Sequence, residues 1–253
     1  MKLVSDTLCI FRIHLARLRA EWGPFLLAAV VFPTGMYLFA NGIVTENTGQ
    51  TLPNDSKLRF LAASLVFSLS LTAISWFGYL LLEDRFTGRL KLFATLPVTV
   101  SSYVFGVLVF ALAQGAAGTV SMLLTARILG VETEFTSIQG VLMLVLVVFL
   151  ALLSLSGVSL IVAARVRSFS EGSLMTDALG AGLVLLAPVY YPAEALPGVI
   201  RWTGWVFPTT YIFQAIKKVL SGNIAIGTEL VVLSAMAVLI LGIGSAQMRW
   251  RES

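Results

Sequence analysis

The chain has 253 residues, of which 58% are hydrophobic and only 12% are charged, and its mean hydropathy is +0.92. Because soluble domains carry roughly a quarter of their residues as charged side chains, this composition excludes a water-soluble fold of the same size. The net charge of +4 comes from basic residues scattered between apolar runs, so no single basic face for nucleic acid is expected. The sequence predicts an all-α integral membrane protein with one transmembrane domain over residues 1–253.

Residues 1–22 predict an amphipathic helix and not a cleavable signal peptide, because charged and apolar residues alternate without an uninterrupted apolar core. Arg12 and His14 lie largely off an apolar stripe that recurs at helical steps and is formed by Val4, Leu8, Phe11, Leu15, Leu18 and Trp22. A helix of this kind lies in the membrane interface on its apolar face. We therefore expect it on the inner membrane surface; the alternative is a solvated helix packed on a partner.

Six stretches meet, or nearly meet, the length of a membrane span. A span needs about twenty mostly apolar residues, because the hydrocarbon core is about 30 Å thick and a helix rises about 1.5 Å per residue. The fifth stretch is the shortest. In chain order the six predicted transmembrane helices are residues 25–44, 60–82, 101–128, 140–164, 173–187 and 229–248.

The distribution of Lys and Arg residues predicts which side of the membrane is cytoplasmic. With six spans both termini lie on one side, and eleven of the seventeen Lys and Arg residues lie there too: Lys2, Arg12, Arg17, Arg19, Arg85, Arg89, Lys91, Arg165, Arg167, Arg249 and Arg251. The opposite side holds Lys57, Arg59, Arg127, Arg201, Lys217 and Lys218. Since basic residues near spans are retained in the cytoplasm, both termini are predicted to be cytoplasmic.

Residues 188–222, before the last span, are apolar and aromatic but interrupted by prolines. Proline fits the first turn of a helix and disrupts its interior, so Pro197 and Pro208 are predicted to start two short helices, the second ended by Gly222. Irregular backbone at membrane depth needs protein or water to satisfy it. We expect a re-entrant hairpin on the outer side, with interfacial aromatic residues at Tyr190, Tyr191, Trp202, Trp205 and Tyr211. The alternative is a seventh span, which would place the C-terminus outside.

Motifs of nucleotide-binding and hydrolytic sites are missing from the sequence, which contains no Walker A, GxGxxG, HExxH or GxSxG segment. Cys9 and His14 are the single cysteine and the single histidine, so neither an intrachain disulfide nor a Cys/His metal site is expected. We therefore interpret the chain as a protein without enzymatic activity. An ATP-driven pump built on it needs a second chain for hydrolysis, which has to hold the cytoplasmic face.

The cytoplasmic loop after the second span, residues 83–99, combines charge with a short apolar strip. Its sequence is EDRFTGRLKLFATLPVT. The pattern predicts a short helix that docks into a cleft, with an apolar strip at Leu90, Phe93 and Leu96 or Pro97 and charges at Glu83, Asp84, Arg85, Arg89 and Lys91. The alternative is that these charges only solvate a turn.

This loop resembles the coupling-helix region of the permease subunit of type 2 ABC exporters, in which an acidic residue, a glycine and a closing Leu-Pro-Val recur. The matching residues are Glu83, Gly88, Leu96, Pro97 and Val98. Residues 190–222 are similar to that family's late signature of a proline-flanked hairpin, a P-x-x-Y and a terminal glycine, at Pro192, Leu196, Pro197, Pro208, Tyr211 and Gly222. Together with the N-terminal helix and the six spans, the resemblance covers essentially the full chain.

The resemblance implies a homodimer or heterodimer of permeases in a cell membrane, with a bacterial plasma membrane as the expected location. Each permease is bound to a separate ATPase subunit that holds ATP and Mg²⁺. The resemblance also implies export of amphipathic compounds. In that picture the loop transmits ATP-driven closure through Glu83, Asp84, Arg85, Gly88, Leu90, Leu96 and Pro97. The hairpin gates the outer exit through Tyr191, Pro192, Pro197, Pro208 and Tyr211, and the N-terminal helix helps to form the ATPase-facing surface.

Two polar residues inside predicted spans are candidates for the transport pathway, because charge at mid-bilayer costs about a few kcal/mol or more. Asp177 is the acid inside the fifth span, near its cytoplasmic start; snorkelling to the interface, capping a helix and pairing with Arg165 or Arg167 are structural alternatives. Gln114 lies in the third span on a small-residue face formed with Ala111, Gly115, Gly118 and Thr119, where helix packing is the simpler interpretation.

The leading functional hypothesis is the permease of an ATP-driven exporter of a small drug-like or antibiotic-like molecule. A lipid-linked glycan or a lipid is the alternative cargo. The alternative class is an ion-coupled secondary transporter, which would have coupling acids near the midplane and usually internal repeats. No repeat relates the two halves of the sequence, and Asp177 is a single acid, so ATP-driven transport is favoured. An embedded enzyme would need paired carboxylates or a nucleophile motif.

Overall fold

The computed structural model of the protein describes residues 2–20, 22–48, 53–96, 98–134, 137–190, 198 and 203–247. Throughout these ranges the regular structure is helical, which confirms the all-α prediction. Two helices contain a π-helical segment. We number the helices in chain order: α1 is Lys2–Ala20; α2 runs from Trp22–Leu26 through the π-helical Leu27–Val31 into Phe32–Thr48; α3 is Asn54–Phe86 with the π-helical Leu71–Trp76; α4 is Arg89–Thr95; α5 is Val100–Ile128; α6 is Ile138–Arg165; α7 is Phe169–Leu185; α8 is Thr203–Val206; α9 is Pro208–Leu220; and α10 is Gly227–Gln247.

Within the described ranges, α3, α5, α6 and α10 are the helices long and apolar enough to cross a membrane by themselves. They coincide with the second, third, fourth and last predicted spans. The first and fifth predicted spans fall on α2, whose apolar part is Ala29–Phe39, and on α7, which has 17 residues. The protein is therefore a multi-pass helical membrane protein, and crossings by α2 and α7 stay predictions.

Side-chain hydroxyls just before the long helices determine where three of them begin. The hydroxyls of Thr99, Ser137 and Ser168 accept hydrogen bonds from the backbone N–H groups three residues later, at 3.2, 3.1 and 3.2 Å. The first turn of a helix has no internal partners for its N–H groups, and Ser or Thr at the cap supplies one. These caps fix the starts of α5, α6 and α7.

Contacts between loops divide the molecule into two ends. At the first, which we call the Arg85 end, the Arg85 guanidinium donates to the carbonyl oxygens of Ala163 and Val166, the latter at 3.1 Å, and Arg165 Nε donates to Gln247 Oε1 at 3.0 Å. This joins the ends of α3, α6 and α10.

At the opposite end, the Asn54 end, the Asn54 amide pairs with the backbone of Glu132 at 2.9 and 3.1 Å. The N–H of Glu134 donates to the carbonyl of Leu220 at 3.0 Å. The start of α3, the connection between α5 and α6, and the end of α9 therefore lie together. Helices α3, α5 and α6 accordingly run between the two ends.

Glycines allow two helix pairs to approach closely. A Cβ at Gly157 of α6 would lie 2.6 Å from the carbonyl carbon of Ile240 in α10, and one at Gly244 would lie 2.7 Å from Cβ of Leu160. A Cβ at Gly118 of α5 would lie 2.9 Å from the carbonyl oxygen of Ala29 in α2. Small residues of this kind let helix backbones meet where the surrounding lipid offers no hydrophobic drive for association.

The π-helical segment of α3 is supported by a serine from a neighbouring helix. A π segment interrupts the regular ladder of backbone hydrogen bonds, and in a dry interior the displaced carbonyls need new partners. Ser159 of α6, fully buried, places its hydroxyl 2.7 Å from the carbonyl oxygen of Ala73 and 2.9 Å from that of Ile74. The widened turn is therefore satisfied from within the protein.

The described part of the predicted hairpin contains the expected second short helix. α9 begins at Pro208, with the proline in the first turn, and Gly222 follows its end in the left-handed conformation with φ of +74°. Both features agree with the sequence prediction. Tyr191, Pro192 and Pro197 lie outside the described residues, so the first short helix and the depth of the hairpin stay predictions.

The close approach of α6 and α10 can be tested with two glycines on one helix. Gly244→Leu drives a side chain into Leu160, whereas Gly242→Leu is a matched control because a Cβ at Gly242 meets nothing within 4 Å. Overpacking typically costs about 1–3 kcal/mol. We expect the thermal unfolding midpoint in detergent to fall for Gly244→Leu only; equal midpoints for both variants would contradict this packing.

Candidate functional site

The Arg85 end contains a buried carboxylate with partners from several segments of the chain. Asp84, near the end of α3, is 1% exposed. Its Oδ2 accepts a hydrogen bond from the Tyr103 hydroxyl of α5 at 2.8 Å, and His14 Nε2 of α1 lies 3.8 Å from the same oxygen. Its Oδ1 accepts from Arg89 at 3.2 Å. Helices α1, α4 and α5 therefore all meet α3 at this side chain.

Arg89 connects α4 to α3 through two carboxylates at once. One guanidinium nitrogen reaches Asp84, and the other lies 2.9 Å from Glu83 Oε1. A buried carboxylate is unfavourable without charge-assisted hydrogen bonds, and a guanidinium supplies them in a fixed fork geometry. The Glu83–Asp84–Arg89 cluster thus clamps the first residue of α4 onto the last turns of α3.

The turn between α3 and α4 explains why a glycine stands at position 88. Gly88 precedes α4 with φ of +81°, a left-handed conformation that side chains disfavour. A Cβ there would meet nothing within 4 Å, so the requirement is for backbone conformation and not for space. Before it, the N–H of Thr87 donates to the carbonyl of Glu83 at 2.9 Å and closes α3. The chain therefore turns sharply into α4.

The structure confirms a short helix in this loop but corrects the interpretation of its apolar strip. Leu90 and Phe93 are only 7% and 6% exposed and pack into the protein's own core, where the Phe93 ring lies 5.4 Å from that of Tyr103. In this structure both side chains are covered by the chain itself and offer no free docking face. The outward face carries Leu92, which is 62% exposed, and Leu96, also exposed. The prediction is therefore wrong for Leu90 and Phe93, because periodicity identifies an apolar side without showing what covers it, whereas Leu96 is exposed; Pro97 lies outside the described residues.

Arg85, the third charge of the loop, has a different role from its neighbours. Its guanidinium donates to backbone carbonyls at the end of α6 and just beyond it. The last turn of a helix leaves carbonyls without internal partners, and a basic side chain satisfies them. Arg85 therefore fixes the end of α3 against α6, and its assignment to ATPase coupling stays a prediction.

At the Asn54 end, α9 is held by its neighbours on two sides. Thr209 Oγ1 donates to the carbonyl of Leu183 in α7 at 2.8 Å, and Lys218 Nζ lies 2.6 Å from Oε1 of the buried Glu229 in α10. The Tyr211 hydroxyl donates to the carbonyl of Trp205 at 3.0 Å and so joins α9 to α8. Of the predicted exit residues, Pro208 and Tyr211 thus lie in a well-packed helix.

Midway between the ends, α2, α3 and α7 enclose a cleft of about 240 Å³. Asp177 of α7 lines it, and the described residues include no ion-pair partner for this carboxylate. Pairing with Arg165, one of the structural alternatives, is not observed, since Arg165 donates to Gln247. The remaining lining residues are Leu27, Phe32, Pro33, Ser68, Leu71, Thr72, Ser75 and Trp76.

Gln114, the other intramembrane candidate, is buried in α5 and does not line this cleft. The neighbouring Gly115 and Gly118 provide the expected packing face, since a Cβ at Gly115 would lie 2.7 Å from Cδ1 of Leu152 in α6. Gln114 therefore belongs to the packed interior, and its assignment to the pathway stays a prediction.

Three features of these sites are not among the predictions from the sequence. His14 was noted only as a polar residue off the apolar stripe of α1; since a polar face turned from the lipid must meet protein or water, a buried partner was to be expected. Tyr103 has no local signal of its role. The polar side of α3 did have one, because hydroxyl residues recur at helical steps along the span, at Ser64, Ser68, Thr72 and Ser75.

Most of the chain matches the profile of a known protein family. The profile of one family, described as the ABC-2 type transporter, matches residues 8–220. The match runs from within α1 to the end of α9 and so contains Asp84 with its partners and the cleft beside Asp177. A comparison with curated proteins finds no match.

The contribution of Asp84 to the stability of the protein can be compared with that of an exposed carboxylate in an ion pair. Asp84→Ala removes the acceptor to which the buried Tyr103 hydroxyl donates, a loss that typically costs about 1–3 kcal/mol. The matched control is Asp55→Ala, because Asp55 pairs with Lys217 at 3.0 Å but is 73% exposed and such pairs contribute about 1 kcal/mol or less. Chemical denaturation in detergent should show the larger loss for Asp84→Ala; equal losses would show that the buried cluster is not a structural anchor.

Proposed function

The chain belongs to the ABC-2 type transporter family, and from this membership we propose that it is the membrane subunit of an ATP-driven exporter. The coarser part of this statement, a multi-pass permease of an ABC-type transporter, follows directly from the family. The proposal adds the direction of transport, a separate ATPase subunit at the Arg85 end that binds ATP and Mg²⁺, and the absence of ATPase activity in this chain. Members of this family generally work with an ABC ATPase.

The observation that carries the proposal is the construction of α4. This helix is clamped by Arg89 and by the burial of Leu90 and Phe93, while Leu92 and Leu96 face outward. An exposed apolar face on a rigidly attached helix is suited to a protein interface. A displacement of α4 would be transmitted through the contacts of Asp84 to α1, α3 and α5 together. We propose this outward face as the contact with the ATPase.

The contacts of α2 and α7 with neighbouring helices support a membrane crossing by each of them. Along α2, the ring of Phe25 lies 5.9 Å from that of Phe110, and Thr34 Oγ1 donates to Ser121 Oγ at 3.2 Å, so α2 runs parallel to α5. Helix α7 starts beside α3 near the Arg85 end, with its Phe169 ring 5.2 Å from that of Tyr79. Its other end meets α9. Six crossings with both termini in the cytoplasm are therefore proposed.

The N-terminal helix has the exposure expected of an interfacial element. Its stripe residues Leu8 and Leu15 are exposed, as is the predicted stripe residue Trp22 at the start of α2, whereas Ile10 and His14 on another face of α1 are buried against the rest of the protein. An apolar stripe left uncovered by protein can lie in the interface between lipid and water. This supports a location of α1 on the inner membrane surface, beside the proposed ATPase contact.

The remaining parts of the proposal concern assembly, exit and cargo. We propose two permease copies with two ATPase subunits in a cell membrane, a bacterial plasma membrane being the first choice, and an outer exit controlled by the hairpin. An amphipathic small molecule, similar to a drug or an antibiotic, is the proposed cargo. A lipid-linked glycan or a lipid is the alternative.

The decisive test of this function is the energy source. Inside-out membrane vesicles containing the full chain and its ATPase subunit should accumulate a fluorescent amphipathic compound when ATP is added. A variant of the ATPase subunit that cannot hydrolyse ATP should abolish accumulation. Accumulation driven by a pH gradient, with no ATP and no associated ATPase, would instead indicate an ion-coupled secondary transporter.

Coupling through α4 predicts a specific defect for Arg89→Ala. The change removes hydrogen bonds to two carboxylates, each worth about 1.5–3 kcal/mol when a charge is involved, so α4 should leave its docked position more often. We expect the amount transported per ATP hydrolysed to fall by about tenfold or more, with the protein still in the membrane. Lys217→Ala is the control, since Lys217 pairs with Asp55 at the Asn54 end; an equal defect in both variants would remove α4 from the mechanism.

A further inference from the structure

The cleft between α2, α3 and α7 is lined by both π-helical segments of the described chain. Leu27 belongs to the segment in α2, and Leu71, Thr72, Ser75 and Trp76 belong to the segment in α3. π-helical turns widen a helix locally and occur often at functional sites. Because two such turns line one cavity, regular helix geometry is interrupted on two walls of this cleft.

The walls of the cleft are held in place by hydroxyl groups of α3. Ser70 Oγ donates to the carbonyl oxygen of Gly180 at 2.8 Å, and Ser75 Oγ donates to that of Thr176 at 3.4 Å. Between these bonds a Cβ at Gly180 would lie 2.8 Å from Ser75 Oγ, so the helices are in close contact. The cleft therefore keeps its shape without a ligand, which is the usual condition of a small-molecule site.

Asp177 lies beside these bonds, next to Thr176 in the chain. At a rise of about 1.5 Å per residue, it lies about 12 Å along α7 from Phe169 and about 6 Å from the start of the predicted fifth span at Ser173, and so is inside the membrane near the Arg85 end if α7 crosses it. An ionised carboxylate at that depth is expensive without a cation or water near it. Its side chain is exposed, and within the described ranges no Lys, Arg or His pairs with it.

The other lining groups define what kind of cation fits. Trp76 offers an indole ring, the best aromatic surface for a cation, and Leu27, Phe32 and Leu71 offer apolar contact. No basic residue is among the described lining residues, which disfavours a phosphate-bearing cargo such as a lipid-linked glycan. At about 240 Å³ the cleft holds a substituted ammonium group with one ring.

We propose that this cleft binds amphipathic organic cations, with the Asp177 carboxylate against the positively charged nitrogen and Trp76 against the cation or its ring. The assignment rests on the proposed export function, because it names the class of compound that is exported. It does not depend on ATP for the binding step. Asp177 is the residue that selects positive charge.

Binding to the purified full chain in lipid nanodiscs, without ATP or ATPase, tests this assignment. The probe is phenyltrimethylammonium, and its uncharged isostere tert-butylbenzene serves as competitor, with Kd values from equilibrium dialysis. We expect saturable binding of the cation, at least tenfold tighter than that of the isostere. Equal affinities, or no saturable binding of the cation, would overturn the proposal.

Substitutions on α7 distinguish an effect of the Asp177 charge on cation binding from an effect on the structure. Asp177→Asn keeps the shape and removes the charge, so cation affinity should fall at least tenfold, while Asp177→Glu should retain most of it. Glu171→Gln is the control on the same helix, because Glu171 accepts from the N–H of Arg167 at 3.0 Å and lies outside the cleft. Unchanged affinity in Asp177→Asn, with an unchanged melting midpoint, would also overturn the proposal. Cation binding without any ATP-driven transport would leave the site standing and reject the exporter.

Discussion

The carboxylate of Asp84 is the contact on which the Arg85 end depends. A charge buried to this degree persists only where the chain itself supplies its partners, and here they come from α1, α4 and α5. The same contacts that make the carboxylate tolerable hold the three helices to α3. A surface helix that would otherwise be a loose loop thereby becomes a rigid part of the membrane domain.

The same requirement shapes the middle of the molecule. Where α3 widens into its π-helical turn, Ser159 supplies hydrogen bonds to the displaced carbonyls, and Ser70 and Ser75 tie α7 to the same region. Asp177 differs from these serines, because its side chain is exposed at the cleft and no described residue forms an ion pair with it. A carboxylate in that position is therefore available to a cation.

Local sequence patterns predicted much of this architecture because their causes are local. Apolar runs gave the helical class and the positions of α3, α5, α6 and α10, and Pro208 and Gly222 gave the bounds of α9. What periodicity could not predict was which neighbour covers each face. The burial of Phe93 depends on residues of other helices, such as Tyr103 of α5, and the role of His14 depends on Asp84, seventy residues later in the chain.

Cross-linking from α4 tests the central claim, that its outward face contacts the ATPase, most directly. In a Cys9→Ser background, Leu92→Cys carries a benzophenone photo-cross-linker, and Leu129→Cys, exposed at the Asn54 end, carries the same group as control. The account predicts a covalent product with the ATPase subunit from position 92 and none from position 129. No product from position 92, or equal products from both positions, would contradict it.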